Sequence, residues 1–96
     1  MMDALVIYRY QAAGAEQGNE FTIRSDKMDV DLNRFQTSPH KVGDTVALQA
    51  EKEEEEAIKK LGEDQKEYVV RKCVHVLTQV AEYNPGLTVY VTVTDL

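Results

Sequence analysis

The chain has 96 residues, 43% hydrophobic and 29% charged, the size and balance of one water-compatible domain and too little for a cofactor domain plus a substrate domain. Seventeen acidic residues against eleven basic ones leave a net charge of −6, with eight of the acids between Glu51 and Glu67. Such a surface repels phosphate backbones, which argues against direct nucleic-acid binding.

No stretch approaches 18 consecutive apolar residues, so no transmembrane helix is expected. The opening Met1-Met2-Asp3-Ala4-Leu5-Val6-Ile7 lacks the basic region and small-residue cleavage site of a signal peptide. Cys73 is the single cysteine, so no internal disulfide framework exists. The expectation is a cytoplasmic protein with no membrane contact.

Residues 4–11, Ala-Leu-Val-Ile-Tyr-Arg-Tyr-Gln, are aliphatic, β-branched and aromatic, the composition of a strand. A loop with two glycines follows at 12–19. Glu20 to Ser25 then alternates, with Phe21 and Ile23 on one side and Glu20, Thr22 and Arg24 on the other. Two strands joined by a glycine-bearing loop predict an antiparallel hairpin. From Asp26 to Gly43 the periodicity fades, leaving an irregular segment with a short strand at 28–32 and a turn around Ser38-Pro39-His40.

Residues 44–49 fit a strand by propensity and a helix by the capping potential of Asp44, and the sequence leaves them undecided. The run Glu51–Glu56 followed by Lys59 and Lys60 predicts a helix over about 50–61, through good intrinsic propensity and i,i+4 pairing. Gly62 is placed to end it. A second helix is predicted over 65–83. There Arg71, His75, Thr78, Gln79 and Glu82 recur at helical spacing, and the adjacent polar pairs Arg71-Lys72 and Thr78-Gln79 break strict alternation. Asn84-Pro85-Gly86 stops it. The closing segment, Leu87-Thr-Val-Tyr-Val-Thr-Val-Thr94, is the clearest strand: Leu87, Val89, Val91 and Val93 share one face, and Thr88, Tyr90, Thr92 and Thr94 the other.

The sum is a single α+β domain over 1–96, a two-layer sandwich. It comprises an N-terminal hairpin, one or two helices (about 50–61 and 65–83) and a C-terminal strand (87–94) packed on one sheet face, leaving the other face open. The last strand is expected to run parallel to the first through a right-handed helical crossover.

Sites of chemistry are few. Asp29-Val30-Asp31-Leu32-Asn33 copies the first five positions of a calcium-binding EF-hand loop, but Arg34 stands where a glycine is needed and His40 where a bidentate glutamate belongs. What remains, with Asp26, is at most a weak surface cation site. Cys73 and His75 would point about 200° apart on a helix and supply two ligands at most, short of what zinc requires. Cys73 is expected to be a buried small hydrophobe against the last strand, and His75 a solvated helix-face residue. There is no nucleophile elbow and no phosphate loop. The contiguous carboxylates Glu53–Glu56 offer one kind of environment, where acid–base catalysis needs two. The sequence therefore predicts no catalytic residue, metal or cofactor, and no motif identifies a family.

The open sheet face is the candidate site. Tyr90, Thr88 and Thr92, with Arg24 and Thr22 from the hairpin, would form a protein-binding surface, since tyrosine offers large contact area at small entropic cost. The first expectation is a small protein-binding or self-associating module, a homodimer being one form. An alternative is an acidic inhibitor or nucleic-acid mimic of phage or mobile-element type, its Glu-rich helix filling a basic groove. A further alternative is a small-molecule enzyme whose active site forms at an oligomer interface.

Overall fold

The computed structural model describes residues 2–14, 19–30, 40–78 and 86–96. Among these residues five strands and one short helix follow in chain order: β1 (Met2–Tyr10), β2 (Phe21–Val30), β3 (Thr45–Leu48), α1 (Glu55–Leu61), β4 (Lys66–Thr78) and β5 (Gly86–Asp95). They form one mixed sheet of order β2-β1-β5-β4-β3. This corrects the two-layer α+β sandwich: the core is enclosed by a curled sheet rather than covered by a helical layer.

The N-terminal hairpin forms as expected, β1 and β2 being antiparallel from Met2↔Val30 to Tyr10↔Phe21. β5 lies parallel to β1, with Val6 opposite Val89 and Tyr8 opposite Val91. Among the described residues no helix separates β5 from its other neighbour, the strand β4, which is antiparallel to it.

β4 is the largest departure from the sequence expectation, because 66–78 is a 13-residue strand where a helix over 65–83 was predicted; residues 79–83 lie outside the described residues. The reason is a β-bulge. Val70 pairs with Val93 and Lys72 with Thr92, so Arg71 is an extra residue on the β4 side. An inserted residue reverses the inward–outward phase. Tyr68 and Val70 face the core before it; Cys73, opposite Val91, faces the core after it. The adjacent polar pair Arg71-Lys72, which breaks strict alternation, marks this bulge. The β-branched Val69, Val70, Val74 and Val76 follow their strand propensity.

The first helix is shorter than predicted. Its seven residues begin at Glu55, not near 50, because β3 takes 45–48 and Gln49–Glu54 connect the two. Its end is as expected. Gly62 has φ of 91°, a left-handed conformation that glycine adopts without a Cβ clash, and its N–H donates to the Ile58 carbonyl at 2.9 Å. Ala57 is fully buried, and the helix packs on β2 with Lys60 Nζ 5.3 Å from the Phe21 ring centroid.

The core fills the inside of the curl. Val89, Val91 and Val93 are wholly inaccessible and Leu87 nearly so, surrounded by Val6, Ile23, Val70, Val46, Leu48 and Tyr68. β5 is central, hydrogen-bonded on both edges, and its inward face belongs to one buried cluster with side chains from the other four strands. At the far end of β1, the Tyr10 hydroxyl donates to Asp95 Oδ2, and the Tyr10 ring stacks obliquely on Phe21 and edge-on to Tyr68.

Two predictions follow from this packing. Val91→Ala removes two methylenes' worth of apolar volume from a site with no solvent access. It should cost about 2–3 kcal/mol of unfolding free energy in urea titrations, and a cost under about 0.5 kcal/mol would contradict the central placement of β5. The Tyr10 hydroxyl is pushed up to about 12, first by its hydrogen bond to Asp95 and then by burial. A hydroxyl raised in the fold contributes stability that is intact below about pH 10 and is lost as pH rises toward 12. Tyr10→Phe should flatten that alkaline decline, as followed by melting temperature against pH.

Candidate functional site

The sheet has an outer face and a concave, core-lining face, and the residues predicted to form the site divide between them. On the outer face Thr88 and Tyr90 are half-buried, and Tyr90 lies between Ile7 on β1 and Val74 on β4. Thr92 is on the same side but only 6% exposed, covered where Arg9 and Lys72 flank it. Thr22 stands opposite Arg9 and joins this face. Arg24 does not. The register slips between Tyr8 and Arg9, pairing Tyr8 with Arg24 and Arg9 with Thr22, so Ile23 is the inserted residue and Arg24 follows Tyr8 to the concave side.

The centre of the outer face is apolar and carries no charge. Leu5, Val74 and Val76 are each 37–38% exposed, with Ile7 and Tyr90 between them. The Arg9–Glu20 ion pair, at 3.4 Å, and Lys72 border its upper end. At about 4.8 Å per strand and 3.3 Å per residue, three strands by five residues give a patch of roughly 240 Å² in plane.

The second constellation sits where the two sheet edges meet, and sequence spacing gives no sign of it. β2 and β3 are the edge strands, and the curl brings them together. The Glu51 N–H donates to the Ile23 carbonyl at 3.0 Å, the Ser25 N–H donates to Glu51 Oε1 at 2.5 Å, and Arg24 Nη1 donates to the Gln49 carbonyl at 3.2 Å. Beyond this clasp the edges part around a cleft of about 400 Å³, lined by β3, Tyr8, Arg24, Asp26 and His40.

Inside the cleft the polar groups are arranged in two pairs. Arg24 forks onto Asp26, with Nε 3.0 and 3.2 Å from the two carboxylate oxygens and Nη2 2.7 Å from one of them. The hydrogen bond to Asp26 raises the guanidinium's already high pKa further. The Tyr8 hydroxyl lies 2.8 Å from His40 Nε2, their rings tilted at 5.6 Å. Burial pushes the Tyr8 hydroxyl up, the neighbouring Asp26 adding to it, and burial pushes the His40 imidazole down. Which of the two groups donates is set by the tautomer of the imidazole.

Cys73 is half-buried on a strand rather than fully buried on a helix, and its Sγ donates to the His40 carbonyl at 3.5 Å. His75 is exposed, as expected, though on β4. Among the described residues no three His, Cys, Asp or Glu side chains converge as a metal site. Asp26, part of the proposed cation segment, is committed to Arg24; the remainder of that segment from Asp31 onward lies outside the described residues. No helix among them is long and apolar enough to cross a membrane.

Comparison with protein-family models, with curated proteins and with solved structures finds no match to this chain.

The cleft's polarity has a measurable consequence. An imidazole lowered below its ordinary value of 6.5 leaves stability intact above that pH and erodes it as pH falls through the folded-state value. The His40 contribution to unfolding free energy should therefore be intact above about pH 6.5 and decline from 6.5 toward 5. His40→Gln should reduce the slope in that interval; an unchanged slope would assign the decline to other groups.

Proposed function

We propose that this chain acts by protein contact through the outer face of its sheet, and that the occupant of that face is a second copy of the chain. The observation that carries the reading is the uncharged apolar centre: Leu5, Ile7, Val74, Val76 and Tyr90 lie side by side across β1, β5 and β4, more than a third exposed at three positions. A two-fold contact places the same patch against itself, and a patch without charge at its centre meets no repulsion on doing so. Tyr90, with Thr88 beside it, supplies the broad, low-entropy contact typical of such interfaces.

Size sets the strength. Stable complexes bury about 800 Å² per partner, several times the in-plane area of this patch. Self-association is accordingly weak, with a dissociation constant well above about 1 μM and a reversible, concentration-dependent dimer. The cytoplasm is the compartment we assign it, on the strength of a lone cysteine.

The acidic-mimic reading gains nothing from the fold. α1 sets Glu55 and Glu56 against Lys59 and Lys60, with Lys60 Nζ 3.0 Å from Glu56 Oε1, so its own charge is balanced. Glu51, at the start of the acidic run, is taken up by the clasp.

Sedimentation velocity from about 10 μM to 1 mM tests the proposal. The weight-average mass should rise with concentration for the wild type and stay at the monomer value for Tyr90→Glu, with the melting temperature of the variant within a few degrees. Val76→Lys, on the same face, provides a second variant should Tyr90→Glu fail to fold. A wild type that remains monomeric at 1 mM defeats the reading.

A further inference from the structure

The cleft between β2 and β3 has a main-chain pattern that side chains alone do not reveal. The Val70 N–H donates to the Asp44 carbonyl at 2.8 Å, and β3 pairs with β4 as Thr45↔Val69 through Leu48↔Lys66. In an antiparallel ladder, alternate residues turn their N–H and C=O toward one neighbour and then the other. With 44 bonded to β4, residues 46 and 48 also turn toward β4, and 45, 47, 49 and 51 turn outward. The clasp agrees: the Gln49 carbonyl accepts from Arg24 and the Glu51 N–H donates to Ile23, both across the seam.

Two of these four outward residues are thus satisfied by β2, and two are not. Among the described residues, no hydrogen bond reaches the outward N–H and C=O of Thr45 or Ala47. β2 presents the complementary situation. Ile23 and Ser25 turn outward into the clasp, so Lys27, two residues on, turns the same way where the edges have separated. The seam is a zipper closed at one end and open at the other. β3 also lacks the usual protection of an edge strand, having no charged residue and no proline in Thr-Val-Ala-Leu.

We infer that the open part of this seam is a strand-addition site for an extended peptide segment of another protein. The main chain of the segment pairs with Thr45 and Ala47, the two residues accepting and donating up to four hydrogen bonds. Four residues of β3 span about 13 Å, and the cleft of about 400 Å³ takes a segment of matching length. Its alternate side chains enter beside Tyr8, Arg24, Asp26 and His40. The Arg24–Asp26 pair cancels in charge, and burial disfavours the charged form of the His40 imidazole. The cleft therefore selects uncharged hydrogen-bonding side chains (Ser, Thr, Asn or Gln) at every second position. This site lies on the opposite side of the sheet from Tyr90 and is independent of self-association.

The test begins with a displayed library of random heptapeptides selected on the immobilised wild-type chain, the most enriched sequence being synthesised. Ala47→Pro is the decisive variant. Its ring replaces an N–H that points into the cleft and bonds to nothing among the described residues, so the ladder with β4 is kept while strand addition is blocked. The peptide should bind Ala47→Pro at least tenfold more weakly than wild type, with melting temperature and sedimentation unchanged. Amide shift changes should fall on 24–27 and 45–48. A peptide N-methylated on alternate amides should lose at least tenfold against the wild type, a comparison that stands even where Ala47→Pro fails to fold. No enrichment from the library, full retention of binding by either modified partner, or shift changes centred on Tyr90 and Val74 would overturn the inference.

Discussion

The whole arrangement hangs on the burial of one strand. β5 is hydrogen-bonded to β1 on one edge and to β4 on the other, and of its inward side chains Val89, Val91 and Val93 are wholly inaccessible and Leu87 nearly so. Three fully buried valines on one face need cover, and here the flanks of the sheet bend over to supply it. That bending carries β2 and β3 round until the Ile23 carbonyl and the Glu51 N–H meet. The helix is then left a small task, covering one end of the curl with Ala57 and Leu61 rather than forming a layer.

How much of this was legible depends on whether a strand's phase is continuous. β5 alternates without interruption through Val91, and that far its inward and outward faces were read correctly from the period-two spacing. β1 and β2 announced a hairpin through glycine and alternation, and the parallel pairing of first and last strands was also expected. β4 was misread because Arg71 is a bulge. One inserted residue turns a period of two into a pattern whose polar positions fall near a period of 3.6, and the valines that favour a strand were outvoted. The same device at Ile23 sent Arg24 to the concave face, although simple alternation placed it with Thr22 beside Tyr90. Bulges arise from backbone geometry in three dimensions, and no residue type marks them uniquely.

The cleft was illegible for a different reason. Tyr8 and His40 are 32 residues apart, and Cys73 is 33 beyond His40. Their convergence follows from the curl, which depends in turn on β5 and on where β3 docks. Residues 44–49, which fitted strand and helix equally, hold the deciding position: as strand β3 they supply the second edge of the seam. Val46 and Leu48 point inward and Thr45 and Ala47 outward, so a four-residue segment fixes both the last wall of the core and the open edge beside it.

The parallel pairing of β1 with β5 bears on how the chain reaches this state. Ala4 lies opposite Leu87, 83 positions away in sequence, so the most buried seam of the sheet is also its least local. A ribosome adding roughly 5–20 residues per second releases the β1–β2 hairpin several seconds before β5 exists. During that interval the hairpin holds one edge and an apolar face without their native partner, and a lone hairpin is marginal in water. Closure must then bring together ends separated by most of the chain, a topology associated with slow folding. Nascent chains of this protein are thus exposed to wrong strand pairing for longer than their size would suggest, and the vulnerable element is the one made first.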